Sequence, residues 1–256
     1  MADSNLKAVI CAYDSLAPDY DAEMARNPVA AWMRARLWRH FARVFPPRAR
    51  ILDVTAGTGP DACWLAKRGA SVVALDASPG MIALLCEAAA RQGMSIDARV
   101  LPAESLRQLD VSGFDGAIST FAGLNTVTDL PQFAVDLSER LKPRARVILH
   151  ALNAFCLWES AALWIRGRRT RTRRVEVRLG GQIVPHRYYN PFALWREAFA
   201  RRFALRRVYA LSVIAAPALV TRWPQLAPIL FALDRAAGHI FPAAGDFFVL
   251  DLEKKD

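Results

Sequence analysis

The chain has 256 residues, of which 54% are hydrophobic, and it carries a formal net charge of +10. This composition excludes an intrinsically disordered chain and provides enough apolar material for one α/β domain with insertions. The four widely spaced cysteines lack a metal-ligand spacing, so we expect no metal site. Because the N-terminus lacks the basic start and apolar run of a signal peptide, we expect a cytoplasmic protein with reduced thiols.

The positive charge is concentrated in the second half of the chain. Residues 1–130 have a net charge of −1, whereas residues 131–256 have a net charge of +11. The run Arg166–Arg178 alone holds seven arginines and one acid. The second half of the chain is therefore expected either to present a solvated basic face or to bind an anionic group. A peripheral contact with an anionic membrane is a further alternative. The apolar stretch Val208–Leu233 is too interrupted by prolines and Arg222 to span a membrane.

Strand and helix patterns alternate from about residue 48, which is typical of βαβ units and a parallel sheet. The predicted strands are Arg50–Val54, Ser71–Asp76, Ile96–Leu101, Phe114–Thr120 and Arg146–Ala151. The predicted helices between them are Pro60–Arg68, Ser78–Gln92 and Asp129–Leu141. Ser78 is the expected N-cap of the second helix, since Pro79 follows it and Gly93 lies just past the end.

The pattern loosens after Asn153. Two stretches, Arg173–Leu179 and Ile183–Tyr189, flank a pair of glycines and predict a β-hairpin. Further helices are expected at Ala154–Arg166 and Pro191–Arg202, and strands at Arg206–Ile214 and Asp246–Leu252. We therefore expect a single domain over residues 1–256, with a helical lid at 1–45, a cofactor-binding core at 46–153, and substrate-cap insertions at 154–190 and 215–245 after the fifth and sixth strands.

The most informative segment is the turn from Asp53 to Gly59, with the sequence DVTAGTG, which follows an apolar strand and opens a helix. Glycines at such a turn let the backbone approach a ligand, and the helix start offers unpaired N–H donors to an anionic group. Asp76 ends the next strand, where a carboxylate accepts hydrogen bonds from ribose hydroxyls. Together these features predict a site for a nucleoside-containing cofactor, with an ordinary tight βα turn as the alternative.

This turn and the DASPGM stretch that begins at Asp76 resemble the first two motifs of the class I S-adenosylmethionine-dependent methyltransferases, especially the small-molecule, quinone-biosynthesis-like group. The resemblance covers residues 10–153. It implies a Rossmann-like, mostly parallel seven-stranded sheet with helices on both faces, and S-adenosyl-L-methionine as cofactor. Thr55 stands where the family usually has its first glycine, and a β-branched residue disfavours positive φ, so we expect a rearranged turn.

The resemblance also implies roles for individual residues. Asp53 orients the turn, Asp76 binds the ribose, and Met81 packs against the adenine or, alternatively, belongs to the core. A proline replaces the family's adenine-binding acid, so the alanine or glutamate after it is expected to serve instead. The other expected cofactor-binding residues are Tyr13, Tyr20, Thr55, Ala56, Gly57, Gly59, Ala77, Ala103, Glu104, Thr120 and Phe121.

Methyl transfer is an in-line displacement, so the protein mainly has to align donor and acceptor and exclude water. A base is needed only when the acceptor must lose a proton. The catalytic candidates are His186, Tyr20 and Asn125, although Asn125 is better explained as a turn residue. The expected acceptor-binding residues, from the aromatic and basic insertion, are Trp158, Arg187, Tyr188 and Tyr189.

The predicted function is methyl transfer to a small organic acceptor that is aromatic or apolar, with an anionic acceptor as a further option. The fourth strand lacks both the Asn/Asp-Pro-Pro-Tyr/Phe pattern and the nucleophilic cysteine typical of nucleic-acid methyltransferases, which argues against a nucleic-acid partner. An RNA methyltransferase and a non-catalytic S-adenosylmethionine-binding protein stay open as alternatives. The sequence does not distinguish a monomer from a dimer.

Overall fold

The computed structural model describes residues 2–165, 167 and 174–256. The strands of this part of the chain are β1 (Arg50–Asp53), β2 (Ser71–Asp76), β3 (Asp97–Val100), β4 (Phe114–Ser119), β5 (Leu141–Leu152), β6 (Arg174–Leu179), β7 (Gln182–Arg187), β8 (Phe203–Leu211) and β9 (Phe247–Lys254). Seven of these described strands form one sheet in the order β3-β2-β1-β4-β5-β9-β8, and β6 pairs with β7 in a separate hairpin. Because β9 alone runs in the direction opposite to the other six strands of this sheet, the predicted mostly parallel sheet is confirmed.

Helices cover both faces of the sheet. The α-helices of the described chain are α1 (Ala2–Arg26), α2 (Pro28–Val44), α3 (Pro60–Lys67), α4 (Pro79–Arg91), α5 (Leu130–Arg140), α6 (Leu157–Ile165), α7 (Pro191–Leu194), α8 (Pro217–Arg222) and α9 (Ala227–Ile240). Short 3₁₀ turns occupy Ala103–Gln108, Gly123–Thr126 and Pro224–Leu226. None of the described helices is long and apolar enough to cross a membrane.

Local capping signals explain where the core helices begin. The Ser78 hydroxyl accepts a hydrogen bond from Met81 N at 3.1 Å, as predicted, and Pro79 takes the first helical position of α4. Asn27 caps α2 in the same way, since its Oδ1 accepts hydrogen bonds from Val29 N and Ala30 N. These caps satisfy N–H groups that have no partner within the helix.

The apolar core has two halves, one on each face of the sheet. On one face, α5 and the 3₁₀ turn at Ala103–Gln108 pack against strand residues such as Leu52 and Leu75. On the other face, α2 and α4 pack against Ile51 and Ile118. Leu37 and Phe41 of α2 are fully buried there. Of the expected lid at residues 1–45, only α1 therefore lies over the strand ends, whereas α2 belongs to the core.

The C-terminal third departs from the predicted boundaries for identifiable reasons. β8 ends at Leu211 rather than Ile214 because Ser212 adopts φ +58°. The buried Asp234 carboxylate holds the chain after this bend, accepting hydrogen bonds from the N–H groups of Ser212, Ile214 and Ala215. The predicted helix Pro191–Arg202 is shorter than expected, since α7 passes into a π turn at Trp195–Phe199.

Candidate functional site

A cleft of about 810 Å³ lies under α1, at the carboxyl ends of β1, β2 and β4. Ligands of open α/β sheets bind at this edge, next to the point where the strand order reverses. Most residues predicted to bind the cofactor line this cleft, and they are Tyr13, Tyr20, Thr55, Ala56, Gly57, Asp76, Ala77, Met81, Ala103, Glu104, Thr120 and Phe121. The structure thus brings together side chains that lie more than a hundred positions apart in the chain.

Asp76 links the glycine turn to the end of β2. Its Oδ2 accepts a hydrogen bond from Gly57 N at 2.8 Å, and its Oδ1 accepts one from Ser78 N at 2.9 Å. Burial raises the pKa of Asp76, while these backbone N–H groups act in the opposite direction. The carboxylate is therefore held in a fixed orientation at the wall of the cleft, with lone pairs left for a ligand.

Two predicted cofactor residues, Asp53 and Gly59, lie beneath the cleft instead of lining it. Gly59 has φ +84°, and a Cβ there would lie 2.4 Å from Leu85 Cγ, so this glycine lets α3 approach α4 closely. Asp53 is buried, and its Oδ1 accepts a hydrogen bond from Thr55 N at 3.4 Å. Burial raises the pKa of Asp53 well above its usual value. Both residues shape the turn from below.

The Thr55 side chain fits into the turn because a glycine after another strand leaves space for it. The sequence did not suggest this contact. Its φ lies outside the left-handed region, and its Oγ1 is 2.8 Å from Ser119 Oγ. A Cβ on Gly123 would lie 2.4 Å from Thr55 Cβ. The threonine that replaces the family's first glycine therefore occupies space left by Gly123, in the loop after β4.

Two acids of α1 fasten this helix over the cleft. Asp14 accepts hydrogen bonds from Ser78 Oγ and from Gly80 N, both at the start of α4. Asp21 accepts a hydrogen bond from Thr58 Oγ1 at 2.5 Å. Because the two acids are seven residues apart, they lie on one face of α1. This spacing is the feature of the sequence from which their shared role could have been predicted.

Arg34 of α2 is the residue that sequence reasoning missed most clearly. Its Nη1 lies 3.0 Å from Asp61 Oδ1, and its guanidinium lies 4.2 Å above the centre of the Phe121 ring. The buried Asp61 also accepts hydrogen bonds from Thr120 Oγ1 and Trp38 Nε1, each at 2.6 Å. Among the described residues that line the cleft, Arg34 is the only cation, and the Asp61 carboxylate and the Phe121 ring hold its guanidinium in place.

The catalytic candidates have different surroundings. Tyr20 lines the cleft, and burial, the largest influence on its pKa, raises that pKa, so its hydroxyl stays protonated near neutral pH and suits a donor better than a base. The Asn125 amide is occupied by backbone groups: it donates to Arg187 O and accepts from Leu152 N at 3.0 Å. Asn125 thus joins β5 to β7, and we no longer propose a catalytic role for it.

His186 and the four expected acceptor-binding residues do not line this cleft. His186 is buried in the hairpin, with Nδ1 3.5 Å from Val184 O, and burial lowers its pKa. Arg187, Tyr188 and Tyr189 line a separate surface groove beside α7, and Trp158 lies in α6. His186 and Arg187 also line a small neighbouring pocket that shares Thr126 and Val127 with the cleft, so the acceptor assignment stays a prediction. Most of the Arg166–Arg178 run lies outside the described residues.

Residues 51–144 match the family model of a methyltransferase domain. A ubiquinone biosynthesis O-methyltransferase of Xanthomonas axonopodis pv. citri is 31% identical over 134 residues, covering 52% of this chain and 56% of that relative. A ubiquinone/menaquinone biosynthesis C-methyltransferase of Geotalea daltonii is 34% identical over 145 residues, covering 54% and 60%. The alignments thus span little more than half the length of these curated relatives.

Comparison of structures gives a likeness over the whole chain. The crystal structure of the Burkholderia thailandensis 1,6-didemethyltoxoflavin-N1-methyltransferase, with bound 1,6-didemethyltoxoflavin and S-adenosylhomocysteine, superposes with a TM-score of 0.60 at 16% identity. The superposition covers 100% of this chain and 91% of that one. At this identity the likeness establishes the fold. Residues 51–144 therefore match the methyltransferase domain family, and the chain as a whole shares the fold of this S-adenosylhomocysteine-bound methyltransferase.

Proposed function

We propose that this protein transfers a methyl group from S-adenosylmethionine to a small organic acceptor. The observation that carries the proposal is the buried Asp76 carboxylate, hydrogen-bonded to the glycine turn and facing a cleft at the strand ends. A carboxylate in this position recognises the two hydroxyls of a ribose. The family match over residues 51–144 supports the choice of a methyl donor among nucleoside cofactors.

The lining of the cleft fits the adenosine part of this cofactor. Met81, Ala77 and Ala103 form an apolar wall beside Asp76, and Glu104 adds an acceptor for an exocyclic amine. The cleft volume of about 810 Å³ is within the range of small-molecule sites. Since Arg34 is paired with Asp61, the acids Asp76 and Glu104 leave the cleft electrostatically suited to a positively charged sulfonium.

Arg34 and the start of α3 suit the carboxylate of the methionine part. A guanidinium binds a carboxylate through paired N–H donors, and a helix N-terminus favours a negative group. Thr58 of the turn before α3 and Pro60 at its start line the cleft together with Arg34. We therefore assign Arg34 to cofactor binding, with Asp61 as the residue that positions it.

The acceptor end of the cleft is apolar. Leu6, Val9, Phe121 and Val127 are apolar side chains that line the cleft, and Tyr20 lines it with a hydroxyl donor. S-adenosylmethionine, when bound, supplies an electrophilic methyl group on a sulfonium. The chain's own residues exclude water, orient the acceptor and, through Tyr20, donate a hydrogen bond to an acceptor oxygen. An aromatic or quinone-like acceptor fits these walls.

Titration calorimetry with S-adenosylmethionine and S-adenosylhomocysteine tests the cofactor site. We expect micromolar binding to the wild type, and a loss of at least about tenfold in Asp76→Asn, because a charged acceptor is removed. Asp110→Asn is the matched control, since this exposed acid pairs with Arg99 away from the cleft. Absence of binding to the wild type would refute the cofactor assignment. Methyl transfer to a panel of phenols and quinols then tests the acceptor class.

The cytoplasmic location and the membrane contact stay secondary proposals. The four cysteines are free, which fits a reducing compartment. Exposed apolar side chains on α9, at Ile229, Leu233 and Ile240, support a peripheral contact with a membrane. Equal sedimentation with neutral and anionic vesicles, or none with either, would contradict an anionic membrane partner.

A further inference from the structure

A second, basic cavity of about 450 Å³ lies between α2, β8 and α9. It is lined by Arg36, Arg39, His40, Arg43, Arg207, Tyr209, Arg235 and His239. Residues two apart on an α-helix point about 200° apart. Arg34 and Arg36 therefore face different sides of α2, and the basic cavity is separate from the cofactor cleft.

The charge of the basic cavity is largely uncompensated. No acid is among its lining residues, and Arg39, Arg43, Arg207 and Arg235 form no ion pair within the described part of the chain. Two buried acids lie behind the wall: Asp251 Oδ2 is 2.9 Å from His40 Nε2, and Asp234 Oδ2 is 3.9 Å from Arg36 Nη1. So many guanidinium groups around one space create a positive potential that favours an anion with more than one charge.

Buried polar atoms of the basic cavity also lack partners. Tyr209 is 2% exposed and Arg36 is 7% exposed, yet neither Tyr209 Oη nor Arg36 Nη1 has a hydrogen bond among the described residues. Arg36 Nη1 lies 3.9 Å from Asp234 Oδ2, which is an ion pair without hydrogen-bond contact. A buried donor left without an acceptor costs free energy, and an oxyanion in the cavity supplies the missing acceptor.

The walls of the basic cavity are held by close packing. A Cβ on Gly238 would lie 2.2 Å from Ala210 O, so the glycine permits backbone contact between α9 and β8. Trp32 of α2 stacks on Phe231 of α9 with ring centres 4.8 Å apart. These contacts fix the three elements that carry the arginines, so the backbone positions of the arginines are set before a ligand arrives.

We propose that the basic cavity binds a phosphate group with at least two negative charges, as in a phosphomonoester or a pyrophosphate. Arginine forks match phosphate oxygens in geometry and charge, and the Tyr209 hydroxyl adds a neutral donor at the floor. The site does not depend on methyl transfer. The phosphate belongs either to a soluble phosphorylated molecule or to the headgroup of an anionic lipid, and the two sources share the same chemistry.

Titration of inorganic pyrophosphate into the full chain tests the site. We expect the double variant Arg207→Gln/Arg235→Gln to bind at least about tenfold more weakly than the wild type, because two charged donors are lost. The double variant Arg201→Gln/Arg222→Gln loses the same charge outside the cavity and should change affinity by less than about twofold. Tyr209→Phe should weaken binding by about threefold, as expected for one hydrogen bond. Thermal unfolding checks that all variants are folded.

Vesicles of phosphatidylcholine, with or without phosphatidic acid, distinguish the two sources. Capture only by vesicles that contain phosphatidic acid, lost in Arg207→Gln/Arg235→Gln, supports a lipid headgroup. Pyrophosphate binding without vesicle capture supports a soluble phosphorylated molecule. The proposal is overturned when the wild type binds neither probe, or when the control double variant loses as much affinity as the cavity variant.

Discussion

Gly123→Ala is the sharpest test of how the glycine turn is built. The added Cβ would lie 2.4 Å from Thr55 Cβ, 2.5 Å from its Oγ1 and 2.7 Å from its Cγ2. Gly123 has no left-handed φ, so the backbone accepts alanine and the cost comes from the clash alone. Overpacking of this kind costs about 1–3 kcal/mol. We expect that loss in the free energy of unfolding, measured by urea denaturation, together with weaker binding of S-adenosylhomocysteine.

A double-mutant cycle with Thr55 separates this clash from other effects. Thr55→Gly alone is destabilising, since it loses the hydroxyl contact with Ser119 and gains freedom in the unfolded chain. In combination with Gly123→Ala it should be less destabilising than the sum of both single changes, by at least about 1 kcal/mol. Thr55→Ala should not rescue, because it keeps the Cβ that lies closest. Equal rescue by alanine and glycine, or a neutral Gly123→Ala, would refute the reasoning.

Three further changes probe the turn, α1 and the arginine network. Gly59→Ala should destabilise the fold by about 1–3 kcal/mol more than Gly57→Ala in urea denaturation, because both positions have positive φ but only the first meets Leu85. Asp14→Ala removes two hydrogen bonds between α1 and α4, so S-adenosylhomocysteine should dissociate about tenfold faster in stopped-flow experiments, with little change in Tm. Asp61→Asn should raise KM for S-adenosylmethionine by about tenfold and lower kcat less; unchanged kinetics would contradict its positioning role.

The sequence predicted the core of this fold well where signals are local. Ser78 and Pro79 mark the start of α4 with chemistry that needs no partner outside the helix, and the structure begins the helix there. The predicted hairpin also forms, with Leu179 paired to Gln182 across the Gly180-Gly181 turn, so its second strand begins one residue earlier than predicted. Asp76 was predicted at the cleft because a strand end and a glycine turn meet in any sheet of this topology.

The rest of the site depends on contacts between distant segments. Arg34 lies in α2 and Asp61 lies in α3, with β1 between them in the chain. Nothing in the sequence around Arg34 distinguishes it from Arg36, which faces another cavity. The pairing of Thr55 with Gly123 is invisible until β1 and β4 lie side by side. The composition of the hairpin suggested that His186 lies near the site, and His186 does line a pocket beside the cleft. Composition does not determine the direction of its ring, which contacts Val184 O within the hairpin.

His150 connects the acid stability of the fold to the wall of the cleft. Its ring is fully buried between Phe121 and Phe247, and its Nδ1 accepts a hydrogen bond from Phe121 N at 3.1 Å. Burial, with a smaller contribution from Arg34, lowers the pKa of His150 from 6.5 to about 3. The native state therefore keeps the ring neutral, while the unfolded chain takes up a proton as the pH falls below 6.5.

The stability that neutral His150 contributes is complete above pH 6.5 and is lost progressively as the pH falls towards 3. Asp246 acts with the opposite sign, because burial raises its pKa to about 6 and the native state holds its proton more tightly than the unfolded chain. The pH dependence of the wild-type unfolding free energy therefore contains contributions from both groups. The variant His150→Gln isolates the contribution of the histidine, because glutamine does not titrate but retains an acceptor. Between pH 6.5 and 5 the wild type should lose about 2 kcal/mol relative to this variant, measured by urea denaturation. Parallel profiles would mean that His150 is solvated or already protonated in the native state, and its role as the neutral acceptor for Phe121 would have to be abandoned.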